Sequence, residues 1–212
     1  MIRKAELKQL QFQMNPHFLY NSFFILNSLV KTGDVERIER FTNMLGEYFR
    51  FITRDGEDHV WLSEEISHCR RYAEIQNLRF SRRIRLEFDD LPKGMEQISV
   101  PRLIVQPIIE NAYEHSFDKM TEDGLLRVSF EMDRNEAQII VEDNGRISDS
   151  EIEALKNRLD QTAEFDKMTG MINIHRRILL TFGDGVGLFV TRSGINGLKA
   201  VIRIKMPEMP VR

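Results

Sequence analysis

An α+β protein is what this sequence predicts: a helical hairpin, then a sheet with helices over one face. Three patterns carry that expectation. Apolar residues in the first part of the chain recur at three- and four-residue steps, as on one face of a helix. Beyond residue 80, short strand-like segments recur, most of them alternating with a period of two. Helix starts and stops fall between those strands without strict alternation, which suits a largely antiparallel or mixed sheet.

The first helix rests on Leu7, Leu10, Met14, His17, Asn21 and Phe24, with Phe18, Ile25 and Leu29 as an adjacent apolar stripe. Thr32-Gly33-Asp34 breaks the pattern, and Asp34 suits the N-cap of a second helix. There Ile38, Phe41, Leu45, Tyr48 and Ile52 step 3-4-3-4. Such a hairpin has too little core to stand alone. It is expected to bury its seam against a second copy, as a four-helix bundle. Arg54-Asp55-Gly56-Glu57-Asp58 reads as a linker, so residues 1–60 form one unit and 61–212 another.

In the second unit, Ser63 is expected to cap a helix that carries Glu64 and Glu65 in its first turn and runs to about Phe80. Ile84, Leu86 and Phe88 mark a strand, and a helix is expected from near Pro101 to about Ser116. Val128, Phe130 and Met132 mark a second strand, and Gln138–Glu142 a third. Ser148–Gln161 reads as a polar helix and Gly170–Phe182 as another. Two last strands hold Val186, Leu188 and Val190, then Ile202, Ile204 and Met206, joined by a turn at Gly194-Ile195-Asn196-Gly197.

Composition narrows the function classes. Hydrophobic residues make up 42% and charged residues 30% of 212, which excludes disorder and fibrous repeats. Thirty Lys+Arg against 33 Asp+Glu, with no long basic run, make nucleic acid an unexpected partner. A lone Cys69 excludes an intramolecular disulfide and a thiolate-rich zinc site. No apolar run reaches the ~18–20 residues of a membrane helix. Met1-Ile2-Arg3-Lys4-Ala5-Glu6-Leu7 looks like mid-helix with no capping residue ahead of it, so a longer parent chain is expected.

Four motifs bear on chemistry. In Asn15-Pro16-His17-Phe18-Leu19-Tyr20-Asn21, Pro16 lies inside a helical pattern and should kink it, at a cost of about 3 kcal/mol. A kink there would hold His17 exposed at a fixed angle; otherwise His17 is a seam residue of a bundle. Gln106-Pro107-Ile108-Ile109-Glu110-Asn111-Ala112 sets an acid beside a neutral oxygen ligand on an apolar helix, a pair suited to Mg²⁺ or to polarising an attacking group. Asp143-Asn144-Gly145 follows a strand, where a carboxylate can accept from an exocyclic amine, though a plain turn has the same sequence. Gly170-Met171-Ile172-Asn173 opens a helix carrying Arg176 and Arg177, an arrangement that suits an anion.

Taken in order and spacing, the four motifs resemble the sensor histidine kinases of the LytS/YesM type, over essentially the whole chain. Asn15–Asn21 resembles that family's phosphoacceptor motif, and Leu62–Phe80 its connecting helix. Gln106–Ala112 resembles the N box, Asp143–Gly145 the G1 box and Gly170–Asn173 the G2 box. The resemblance implies a GHKL (Bergerat-type) α/β sandwich that binds ATP, behind a dimerising phosphoacceptor hairpin. It implies that His17 accepts the γ-phosphoryl group, with Glu110 as base or hydrogen-bond partner of the histidine, and that Asn111 holds Mg²⁺. It further implies that Asp143 reads the adenine amine, that Gly145 and Gly170 admit the backbone to the nucleotide, and that Asn173 and Arg177 lie on the phosphate side. Residues 146–169 would be a lid, and the hinge between the two units would lie near residues 54–62. The implied partners are a response-regulator receiver domain and a second copy of the chain. The implied location is the cytoplasmic side of an inner or plasma membrane.

Three departures from the family pattern stand out. Ile147 and Met168 stand where glycines are usual, and Glu114-His115-Ser116 replaces Lys-His-Gly. A degenerate, dimeric interaction module with weak or no ATP binding, docking a response regulator, is therefore the alternative to an active kinase.

Overall fold

A computed structural model describes residues 16–54, 58–80, 83–118, 120–160 and 170–206. The hairpin comprises α1 (Pro16–Thr32) and α2 (Val35–Ile52). Gly33 takes φ +70 at the turn, and the Asp34 side chain accepts the Arg37 N–H at 3.1 Å, so the expected cap is in place. Leu7, Leu10 and Met14, and any helix that would precede Pro16 and be kinked by it, lie outside the described residues.

Part of the hairpin's seam is covered within the chain, while its His17 and Phe24 stay exposed. Phe41 and Tyr48 are buried within the chain's own core. Phe18 packs against Tyr48 at 4.4 Å and Tyr72 at 5.1 Å between ring centroids. Tyr72 belongs to α3 (Leu62–Arg79), so the hairpin gains from this helix the core it lacks alone. Tyr20, Phe23 and Val30, on the other faces, stay exposed as well.

Helix α3 starts two residues earlier than the Ser63 cap predicts, with Trp61 at the N-cap position. The Leu62 and Ser63 N–H groups donate to the carbonyls of Ile98 and Glu96, and Glu64 reaches back to accept the Trp61 N–H at 3.1 Å. Backbone acceptors from a distant loop thus replace the side-chain cap. Just before it, β1 (His59–Trp61) pairs antiparallel with β3 (Ser99–Pro101). Pro101 therefore ends a strand rather than opening a helix. Residues 102–105 are irregular, with Leu103 at φ +61, a left-handed conformation costing an L-residue about 1 kcal/mol or more. Helix α4 (Gln106–Asn111) begins only at Pro107's neighbour, where proline fits the first turn, and widens into a π turn at Ala112–Ser116.

The main sheet has β2 (Ile84–Phe88), β4 (Gly124–Met132), β5 (Glu136–Asp143), β6 (Gly187–Arg192) and β7 (Leu198–Lys205), in the order β2-β4-β5-β7-β6. Among the described residues, only the β2–β4 pair is parallel. Register aligns Val128, Val141, Ala200 and Val190 across one face, all buried under the helices. One residue out of phase, Glu87, Arg127, Glu142 and Lys199 line the opposite face. Helices α5 (Asp149–Asp160) and α6 (Gly170–Phe182) match the expected spans to within a residue or so, and α6 packs against β6 and β7.

Candidate nucleotide and phosphoacceptor site

Asp143 ends β5 on the buried face of the sheet, opposite Leu126, with 4% of its surface exposed. Its Oδ1 accepts the Gly145 N–H at 2.8 Å, and Ser116 and the Leu198 backbone also bond its carboxylate. Burial raises the carboxyl's pKa, and those three donors work in the opposite direction. The strand therefore ends on a fixed, partly desolvated acceptor.

Two glycines make that geometry possible. A Cβ on Gly145 would collide with the Ser116 side chain, meeting its Oγ at 2.6 Å and its Cα at 2.8 Å. A Cβ on Gly197 would drive into the Asp143 backbone and carboxylate. Ser116 closes the π turn that continues α4, so that turn seats the N-box helix on the loop after β5. Such π turns recur at functional sites. Neither Ser116 nor Gly197 was expected as part of the site; Asn196-Gly197 before the last strand was the available signal, read only as a turn.

Glu110 and Asn111 end α4, both half-buried. The Glu110 charge raises the phenol pKa values of Tyr48 and Tyr72, after the larger effect of burial. Those two rings enclose Phe18, the neighbour of His17, so Glu110 faces the hairpin side of the helix. His17 is exposed on α1, with Asn21 Nδ2 at 3.1 Å from its Nε2 and 3.3 Å from its Nδ1. Burial of Phe18 fixes the helix face on which His17 is presented, a role that the Pro16 kink was expected to fill.

The opening of α6 is the fourth component. Gly170 is exposed, with Pro107 Cβ 3.8 Å from where its own Cβ would stand. Asn173 is half-buried, and its Oδ1 is a buried acceptor without a hydrogen-bond partner among the described residues. Arg177 departs from expectation. It is 3% exposed, and its guanidinium donates to the Leu103 carbonyl at 3.3 Å and to the Arg102 carbonyl, leaving it a structural task rather than an open phosphate contact. Of the expected lid, α5 is described, with Ile152 and Leu159 buried and Asp149 paired to Arg192 at 2.6 Å; residues 161–169 lie outside the described residues.

A second polar network joins the hairpin to α4. The Gln106 amide donates to Tyr48 Oη at 3.0 Å, and its Oε1 accepts from His68 Nε2 at 2.5 Å. His68 lies between Tyr48 and Phe51 at centroid distances of 4.9 and 4.0 Å. Arg102 adds donors to the Phe51 and Arg54 carbonyls at the end of α2, at 3.1 and 2.6 Å. These contacts cross the expected hinge. Among the described residues no helix is long and apolar enough to cross a membrane, and no cluster of three or more His, Cys, Asp or Glu could hold a metal ion.

The chain is similar to known proteins over most of its length. A family model for histidine kinases matches residues 5–84. The chain is 33% identical over 204 residues to sensor histidine kinase YesM of Bacillus subtilis (strain 168), covering 96% of this chain and 34% of that protein. It is 27% identical over 210 residues to sensor protein LytS of the same organism, covering 99% and 35%. The chain thus spans about a third of the length of these curated relatives. A solved structure of histidine kinase ThkA in complex with response regulator protein TrrA aligns with a TM-score of 0.50 at 14% identity, over 97% of this chain and 63% of that one. At that identity the likeness concerns the fold alone. With the motifs in family order and nearly the whole of this chain matched by these relatives, the chain belongs to the histidine kinase family, among the sensor kinases of the LytS/YesM type.

Proposed function

We propose that this chain is the catalytic portion of a two-component sensor kinase, which phosphorylates its own His17 from Mg-ATP and passes the phosphoryl group to an aspartate of a response regulator. The observation that carries this reading is the fixed carboxylate of Asp143, backed by the Gly145 amide and seated beside the π turn that continues from Glu110 and Asn111. A buried acceptor at a strand end suits the exocyclic amine of adenine. Residues 1–60 serve as the phosphoacceptor unit and 61–212 as the nucleotide-binding unit, and a second copy covers the exposed apolar residues of the hairpin.

The residues present fit a Mg²⁺ ion held mainly by phosphate oxygens. Magnesium keeps water and substrate oxygens in its shell and needs few protein ligands, and Asn111 supplies a neutral one. Asn173 Oδ1 is a further unsatisfied acceptor at the start of α6. When bound, the ion offsets charge on the phosphates during in-line transfer. His17 attacks the γ-phosphorus through a neutral imidazole nitrogen, the P–O bond to ADP breaks, and the proton on the other ring nitrogen is stabilised by hydrogen bonding, with Glu110 as acceptor. The protein's main contribution is to position the two reactants, so the hairpin must move relative to the sheet during the cycle.

The test is incubation with Mg²⁺ and γ-labelled ATP, scoring acid-labile, base-stable label. Wild type should label, His17→Gln should not, and Asp143→Asn should lose both label and nucleotide binding while retaining its melting transition. Label surviving in His17→Gln would refute the assigned acceptor. Absence of nucleotide binding by wild type would favour the interaction-module alternative.

A further inference from the structure

Leu103 holds a left-handed backbone, φ +61, that a leucine does not adopt unaided. Both of its backbone polar groups are held, by side chains of opposite charge from two different helices. Its N–H donates to Glu65 Oε2 at 2.9 Å, and the Val105 N–H donates to Glu65 Oε1 at 2.9 Å. Its carbonyl accepts from Arg177 Nη1 at 3.3 Å, and the Arg102 carbonyl accepts from Arg177 Nη2. Glu65 is fully buried and Arg177 nearly so.

We infer that Glu65 and Arg177 are positioning residues for the nucleotide site: together they hold Leu103 in its left-handed turn and so fix the entry of α4 against α6. The inference rests on the nucleotide reading above. The pair serves placement rather than stability. A buried pair of opposite charges contributes little net stability over apolar residues of the same volume, because both ions are desolvated. Here each charge is spent on backbone groups of one turn, the carboxylate on N–H groups and the guanidinium on carbonyls. That turn leads directly into Gln106 and the helix bearing Glu110 and Asn111, while Arg177 ties it to the helix bearing Gly170 and Asn173. The two nucleotide-facing helices are thereby registered to each other through Leu103.

Glycine takes the left-handed conformation without steric cost, so Leu103→Gly should make the clamp dispensable. Full-length wild type, Arg177→Met, the milder Glu65→Gln, and each combined with Leu103→Gly would be compared well below their melting temperatures. One readout is affinity for trinitrophenyl-ATP; the other is amide hydrogen exchange at Leu103 (where present) and Val105, which needs no nucleotide. Arg177→Met and Glu65→Gln should each weaken binding about tenfold or more and speed exchange at Val105 by a similar factor. Adding Leu103→Gly should recover at least half of the lost affinity on a logarithmic scale. Unchanged exchange in both single variants would overturn the clamp, and lost affinity that Leu103→Gly does not restore would reduce both residues to core structure. If wild type binds no nucleotide while exchange responds as expected, the nucleotide reading falls and the positioning role falls with it.

Discussion

Gly145→Ala offers a sharp test of how the site is built. The added methyl would meet the Ser116 side chain, with Oγ at 2.6 Å and the Ser116 Cα at 2.8 Å. Gly145 has little room to retreat, since it is buried and its N–H is bonded to Asp143. Overpacking of this kind costs about 1–3 kcal/mol. Taking about 2 kcal/mol, the melting temperature of a chain this size should fall by roughly 4–8 °C. Ser116→Gly removes the Cβ and Oγ that obstruct the methyl, so that only the backbone at residue 116 still crowds it. The double variant should therefore be less destabilised than the sum of the two singles, by about 1 kcal/mol or more in a double-mutant cycle. Calorimetry on the four proteins measures both quantities, and nucleotide titration should follow the same order. Additivity within about 0.4 kcal/mol would mean that the π turn does not rest on the loop after β5, and the seat described for Asp143 would be wrong.

Two further predictions address the network joining the hairpin to α4. His68 is buried, with its pKa lowered from 6.5 to about 4 by burial, against the Gln106 hydrogen bond and with Arg71 and Arg102 adding to the depression. Between those values the unfolded chain binds a proton that the folded chain refuses, so stability falls as pH drops from about 6.5 toward 4 and levels off below. Glu65 and Asp143, raised by burial, act in the opposite sense, so the readout is a difference: His68→Phe should lose about 2 kcal/mol less than wild type between pH 7 and 4.5 in urea unfolding, and equal losses would refute the assignment. Tyr48→Phe keeps the ring against Phe18 but strips the Gln106 amide of its acceptor, which should lower stability by about 1–3 kcal/mol; a neutral variant would show that the amide finds another partner.

Local chemistry was legible in the sequence wherever local chemistry decides the outcome. Asp34 caps α2 because a carboxylate three residues before a free N–H needs nothing else. Helix α6 and the strands of the main sheet follow from periodicity that their burial obeys. What was not legible clusters where a partner about forty or more residues away decides. Glu65 sits in the first turn of its helix as read, but its burial against the turn at Leu103 and Val105 was not legible. Pro101 reads as a helix start because nothing nearby announces that His59 pairs with it. Arg177 follows a glycine-led helix start and so reads as an anion contact, but two carbonyls from residues 102 and 103 claim it. The same limit hid Gly197, whose lack of a side chain matters only because Asp143 comes from another strand.

The one parallel pair in the main sheet has a consequence for how the site is assembled. Parallel neighbours cannot be joined by a tight turn, and the connection from β2 to β4 is residues 89–123, which include α4 and its π turn. Closing a loop of roughly 35 residues costs about 3 kcal/mol in chain entropy before any contact repays it. Ser116 lies near the end of that connection, so its contacts with Gly145 and Asp143 tie the crossover to the end of β5. A ligand held there binds the completed sheet and not its precursors, and it would act as a folding ligand, drawing the chain toward its closed state by mass action.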